Sequence, residues 1–221
     1  FSPDGRLYQV EYAREAVRKG SATVGVTTDE SVVFASDTST RSPLLERDSV
    51  EKIHDVDGRL GIASAGHVAD ARRLVDEARR FAQTERLRYG EPPDVETTAK
   101  AIADVVQEST QTGGMRPFGV GLLVGGVTDG EPRLYETDPS GTPSAWRATA
   151  VGSDGDVIRD HLETEYTDGL GTYDGVALAL DALREGVADL SAEAVAVATM
   201  DDEGFRTVDD DVVTGHFDGA S

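Results

Sequence analysis

The order of the apolar runs constrains this chain more than any other feature. Strand-like runs come in groups joined by tight turns, and amphipathic helices come in pairs between those groups. A doubly wound parallel sheet needs a helix after each strand, so the pattern argues for antiparallel sheets with helix pairs packed on them.

The first helix opens around Pro3-Asp4-Gly5, with Asp4 as candidate N-cap, and carries Leu7, Tyr8, Val10, Tyr12, Ala13, Ala16 and Val17 to a stop at Gly20. Strands follow at 22–26 and 32–35 around Thr28-Asp29-Glu30. Two more, at 51–56 and 59–65, flank Asp57-Gly58, a hairpin signal. Val68, Ala71, Val75, Ala78 and Ala82 recur at helical spacing until Gly90. After Pro92-Pro93-Asp94 a second helix carries Val95, Ala99, Ile102, Val105 and Val106 towards Gly113-Gly114. Strands return at 118–127, 133–137 and 145–151, then helices at 157–166 and 173–187, then strands at 194–200 and 205–208. Residues 209–221, with Asp209-Asp210-Asp211, read as a solvated acidic tail. No linker, repeat or low-complexity tract divides the chain, so 1–221 reads as a single domain.

Charge narrows the function classes. Forty-two acidic residues against 21 basic ones give a net charge of -21. Such a chain repels phosphate backbones and anionic lipid, which speaks against nucleic-acid and membrane-surface partners. Its self-repulsion predicts adaptation to high salt, where screening shortens the repulsion to about 3 Å at 1 M. The only lysines are Lys19, Lys52 and Lys100, and cysteine is absent. Disulfides, thiolate zinc sites and cysteine nucleophiles are thereby excluded. No stretch approaches the roughly 20 apolar residues that span a bilayer. The opening at Phe1 is not a signal peptide and lacks an initiator methionine, so natural sequence is expected before it.

Motifs for chemistry are sparse. His54, His67, His161 and His216 form no i, i+4 pair, and Asp55-Val56-Asp57-Gly58 brings its glycine too early for a calcium loop. Gly119-Val120-Gly121 and Gly169-Leu170-Gly171 lack the third glycine of a dinucleotide fingerprint. No metal or cofactor is expected. Ser21 and Thr23 open a strand just after Lys19-Gly20, and a hydroxyl there could serve as nucleophile if cleavage freed its own α-amine. The preceding residues read as a helix rather than a disposable propeptide.

Phe1-Ser2-Pro3-Asp4-Gly5-Arg6-Leu7 followed by Gln9-Val10-Glu11-Tyr12-Ala13 resembles the N-terminal signature of alpha-type proteasome subunits. The resemblance continues through Ser42-Pro43-Leu44-Leu45, Ser49-Val50-Glu51-Lys52-Ile53 and Val68-Ala69-Asp70-Ala71-Arg72. It persists at Thr110-Gln111, Gly113-Gly114, Arg116-Pro117-Phe118-Gly119-Val120 and Asp138-Pro139-Ser140-Gly141, and fades after about Val187. The acidic surface suggests an archaeal, salt-adapted member.

The resemblance implies an α+β fold of the N-terminal-nucleophile hydrolase type, a four-layer αββα sandwich of two antiparallel sheets between helical layers. It implies a non-catalytic, cytoplasmic subunit whose homo- or hetero-heptameric rings cap beta-subunit rings. Those rings would gate the entry of unfolded protein substrates and dock an activating AAA ATPase through its C-terminal tails. By resemblance, Lys52, Gly20 and Gly66 form the docking pocket, with His67 replacing the family's usual apolar residue. Pro3, Glu11 and Tyr12 support the gate, whose tail would precede Phe1. Thr112, Gly113, Gly114 and Met115 line the axial opening, and Asp37 and Lys52 stand as remnants of a beta-type active site. Spacing alone reads Lys52 as a surface lysine, Glu11 as a helix-surface acid, Tyr12 as a packed aromatic, Pro3 as a helix opener and Gly113-Gly114 as a helix stop. The competing reading is a self-processing hydrolase using Ser21 or Thr23.

Overall fold

The computed structural model describes residues 8–40, 42–46 and 49–219. Its elements run α1 (Tyr8–Arg18), β1 (Thr23–Thr27), β2 (Val32–Asp37), β3 (Ile53–Asp55), β4 (Gly61–Gly66), α2 (Val68–Tyr89), α3 (Val95–Gln111), β5 (Val120–Thr128) and β6 (Glu131–Thr137). They continue with β7 (Pro143–Trp146), β8 (Ala148–Val151), α4 (Gly155–Glu165), α5 (Thr172–Gly186), β9 (Val195–Asp201), β10 (Gly204–Thr207) and α6 (Asp210–Gly219). One sheet has the order β10-β9-β2-β1-β8 and the other β3-β4-β5-β6-β7. Every pairing is antiparallel.

Strand periodicity explains why the two sheets stack. Successive strand side chains point to opposite faces, and in β2 both faces are apolar. Val33 and Ala35 pack under α4 and α5 beside Ile158, Leu180 and Leu183, while Val32 and Phe34 face the other sheet with Ala63, Leu123 and Leu134. In β5, Val120, Leu122 and Val124 face α2 and α3 with Leu74, Ala78 and Ile102. Three apolar interfaces therefore separate four layers, αββα, the expected sandwich. Glycine sets the inner spacing: a Cβ on Gly125 would lie 2.7 Å from Val32 Cγ1 and 2.9 Å from Phe34 Cζ.

Helix ends follow the sequence signals. Asp94 caps α3, accepting from the Thr97 amide at 2.6 Å. Gly90 closes α2 in the left-handed conformation at φ 81°.

Two expectations are corrected. The strand expected at 145–151 is two strands in different sheets, β7 and β8. The chain changes sheet at Arg147, whose carbonyl accepts from the Thr27 amide at 2.7 Å and the Thr27 hydroxyl at 2.8 Å. The acidic tail expected at 209–221 is helical over Asp210–Gly219. Asp210 and Asp211 stand in its first turn, where negative charge favours a helix, and Val213 is buried in the core. The start of the first helix as expected from the sequence, with Pro3 and Asp4, lies outside the described residues.

The inter-sheet spacing is testable. Gly125→Ala should cost about 1–3 kcal/mol by overpacking, read as a lower thermal midpoint in molar salt. An unchanged midpoint would contradict the tight inter-sheet contact.

Candidate functional site

The chain passes from α1 into β1 through Lys19, Gly20, Ser21 and Ala22, and this crossing builds the site. Gly20 leaves no room for a side chain, because a Cβ there would overlap the Gly66 backbone nitrogen. Gly66 has φ 120°, and its own Cβ would overlap the Gly119 carbonyl oxygen. A Cβ on Gly119 would in turn overlap the His67 ring. Three backbones thus touch where only glycine fits. The Ser153 amide closes the junction by donating to the Gly20 carbonyl at 2.8 Å.

Beside this stack opens a cleft of about 450 Å³, lined by Tyr12, Glu15, Ala16 and Lys19 of the α1 end, Gly20 and Ser21, Lys52, and Gly66 with His67. Lys52, Gly20 and Gly66, expected together, do converge here, and Tyr12 joins them. Lys52 is 7% exposed and has no ion-pair partner within 4 Å among the described residues. Burial pushes its ammonium below the ordinary lysine pKa, while the charge of buried Asp37 pulls the other way. Asp37 in turn accepts from the Ser39 amide at 2.8 Å. A desolvated cation at the wall of an open cleft can take a carboxylate through a charge-assisted contact.

The other expected residues lie elsewhere. Glu11 accepts from Arg14 at 2.7 Å, and Arg14 also reaches Asp138 at 3.1 Å, which fastens α1 to the segment after β6. Pro3 lies outside the described residues. Thr112, Gly113, Gly114 and Met115 form an exposed turn after α3, where the Thr112 hydroxyl donates to the Glu108 carbonyl at 3.0 Å. Thr23 is fully buried. Its hydroxyl lies 2.9 Å from that of Ser36 and donates to the Ser64 carbonyl at 3.1 Å, so it ties the two sheets together. Ser21 reaches the cleft wall, with its nitrogen in the peptide bond to Gly20.

Sequence reasoning missed the support for this junction. Asp70, in the first turn of α2, holds Arg116 through both carboxylate oxygens at 2.7 and 2.8 Å. It also accepts from the Gly119 amide at 2.8 Å, and so fixes the third glycine of the stack. Burial would raise the Asp70 carboxyl, but Arg116 and the Gly119 amide outweigh it and hold it below its usual value. Gly119 did carry a signal: glycine inside a strand pattern often marks close backbone approach.

The fold and the junction define a class, the four-layer N-terminal-nucleophile sandwich with a helix before β1 packed on β4 and β5. A model of the proteasome subunit family matches residues 17–200, and a model of the N-terminal signature of A-type proteasome subunits matches residues 1–16. The chain is 56% identical to the proteasome alpha subunit of Natronomonas pharaonis over 99% of its own length and 87% of that protein's. It is 61% identical to proteasome alpha subunit 1 of Haloarcula marismortui, over 92% and 78%. Against proteasome alpha subunit 2 of Haloferax volcanii it is 50% identical, over 100% and 89%. The chain belongs to the proteasome subunit family, as a member of the alpha type.

Asp70→Asn should lower stability near neutral pH by about 1–2 kcal/mol, a charged hydrogen-bond loss discounted because Arg116 is largely solvent-exposed. The folded carboxyl is depressed, so its contribution is complete above the unfolded value near 4 and fades as pH falls through the folded value. The gap in thermal midpoint between the two proteins should therefore close in acid. A gap that stays constant down to pH about 2 would contradict the assignment.

Proposed function

We propose that this chain is a non-catalytic alpha subunit of the 20S proteasome core. Seven copies, of one or more alpha types, form an outer ring that gates the entry of unfolded proteins to a chamber built by beta subunits. The ring docks an activating ATPase through that ATPase's C-terminal tails. The observation that carries the reading is Lys52: a buried ammonium without an ion-pair partner among the described residues, at the wall of a cleft beside Gly20 and Gly66. A tail's terminal carboxylate is the group such a site fits, and the glycine stack admits the tail's backbone.

Support for a non-catalytic role comes from Ser21 and Thr23. Nucleophilic use of either hydroxyl requires a free α-amine at the same residue, and here both follow α1 in an unbroken chain. Intact mass of the purified protein should show no species beginning at Ser21 or Thr23. Such a species, with peptidase activity, would restore the hydrolase reading.

Lys52→Ala should abolish activator-stimulated protein degradation and leave the native mass of the assembled ring intact. Undiminished stimulation would remove Lys52 from docking.

A further inference from the structure

The cleft holds a second cation that docking of one terminal carboxylate leaves unused. Of the three lysines in the chain, Lys100 is paired with Glu96 at 2.5 Å. Lys19 and Lys52 make no ion pair among the described residues, and both line the same cleft. This distribution is unexpected in a chain with twice as many acids as bases. Most of the described arginines do sit within 4 Å of a carboxylate, among them Arg14, Arg79, Arg133, Arg147 and Arg206.

Acidic compensation inside the cleft is thin among the described residues. Among the described residues Glu15 is the one carboxylate lining it, and Glu15 is held by Arg18 at 3.5 Å. The charge of Asp37 acts on Lys52. His67 adds a further nitrogen donor or acceptor to the same wall and is the N-cap residue of the 22-residue α2, without a side-chain cap bond of its own. The positive end of that helix therefore lies at the cleft.

Lys52 is buried and suited to one carboxylate, whereas Lys19 is exposed at the rim. From these placements we infer that Lys19 is a specificity-determining residue that selects docking tails carrying an acidic side chain close to their C-terminus. This rests on the docking role of the cleft argued above. With screening over about 3 Å at 1 M, distant charge steers nothing, and a cation in contact with the tail is the charge recognition that salt weakens least.

The test uses the assembled particle in molar salt and three short fluorescent peptides of otherwise identical sequence. One has a free C-terminal carboxylate and a glutamate within its last three residues. The second has glutamine in place of that glutamate, and the third keeps the glutamate but ends in an amide. The glutamate peptide should bind about two-fold more tightly than the glutamine peptide, the lower range for an exposed pair because molar salt screens it. Lys19→Met should erase that ratio while the preference for free carboxylate over amide persists. Lys19→Arg should retain both, separating charge from folding.

Equal binding of the glutamate and glutamine peptides to the unaltered particle would overturn the role of Lys19 and leave the docking reading standing. A glutamate preference that survives in Lys19→Met would do the same. Loss of the carboxylate-over-amide preference in the unaltered particle, or no binding of any peptide, would overturn the docking reading together with this inference.

Discussion

Everything at the site depends on one contact in which backbones meet without side chains between them. Gly20, Gly66 and Gly119 approach so closely that a methyl group on any one would overlap the next residue in the series. That approach fixes where α1 ends, and the end of α1 is one wall of the cleft. It seats the His67 ring against Gly119, and it brings the α1–β1 crossing and the β4–α2 junction to the same cleft as Lys52. Asp70 secures the third glycine of the contact by accepting from the Gly119 amide and holding Arg116. An interior this close to crystal density transmits small volume changes rather than absorbing them, so the cleft's shape and the fold's integrity are set by the same residues.

Electrostatics then separates the inside of the cleft from the rest of the surface. The net charge of -21 and the prevalence of acid-paired arginines give an exterior whose cations are mostly occupied. Lys52 is different because its cost is desolvation rather than competition. Burial disfavours its charged form, and Asp37 offsets this only by charge at a distance. A carboxylate arriving in contact would recover more than it would at an exposed lysine, since the surrounding protein has already excluded water from one side of the ammonium. Selection by contact is also the form of recognition that survives high salt.

Much of the architecture was legible because its signals are local. Val68, Ala71, Val75 and Ala78 mark α2 by helical spacing, and Gly90 ends it where a left-handed residue is required. The runs at β1 and β2 are visible as apolar segments, but their double-sided burial places them inside a sandwich only once the layers are known. The sheet change at Arg147 has no glycine, proline or asparagine to announce it, and tertiary hydrogen bonds from Thr27 hold it. The α6 helix was hidden because Asp209, Asp210 and Asp211 look solvated; the buried Val213 and the contact of His216 with Asp181 at 2.9 Å hold it on the core. At the site, Lys52, Gly20 and Gly66 could be grouped only by resemblance, since periodicity alone left Lys52 an ordinary surface lysine. The Asp70–Arg116 pair spans 46 positions and carries no local pattern. Lysine scarcity was the available clue to Lys19, and it became informative only when the fold put Lys19 and Lys52 on one cleft.

Lys52 is a buried cation whose burial disfavours its charged form, and its proposed carboxylate partner is directly measurable. With only three lysines in the chain, each can be followed by carbon NMR after isotopic methylation of the amines. In the free protein Lys52 should titrate below the ordinary lysine value, and a peptide ending in a free carboxylate should move that titration upward. A Lys52 signal that titrates normally in the free protein, or does not respond to such a peptide, would contradict the account.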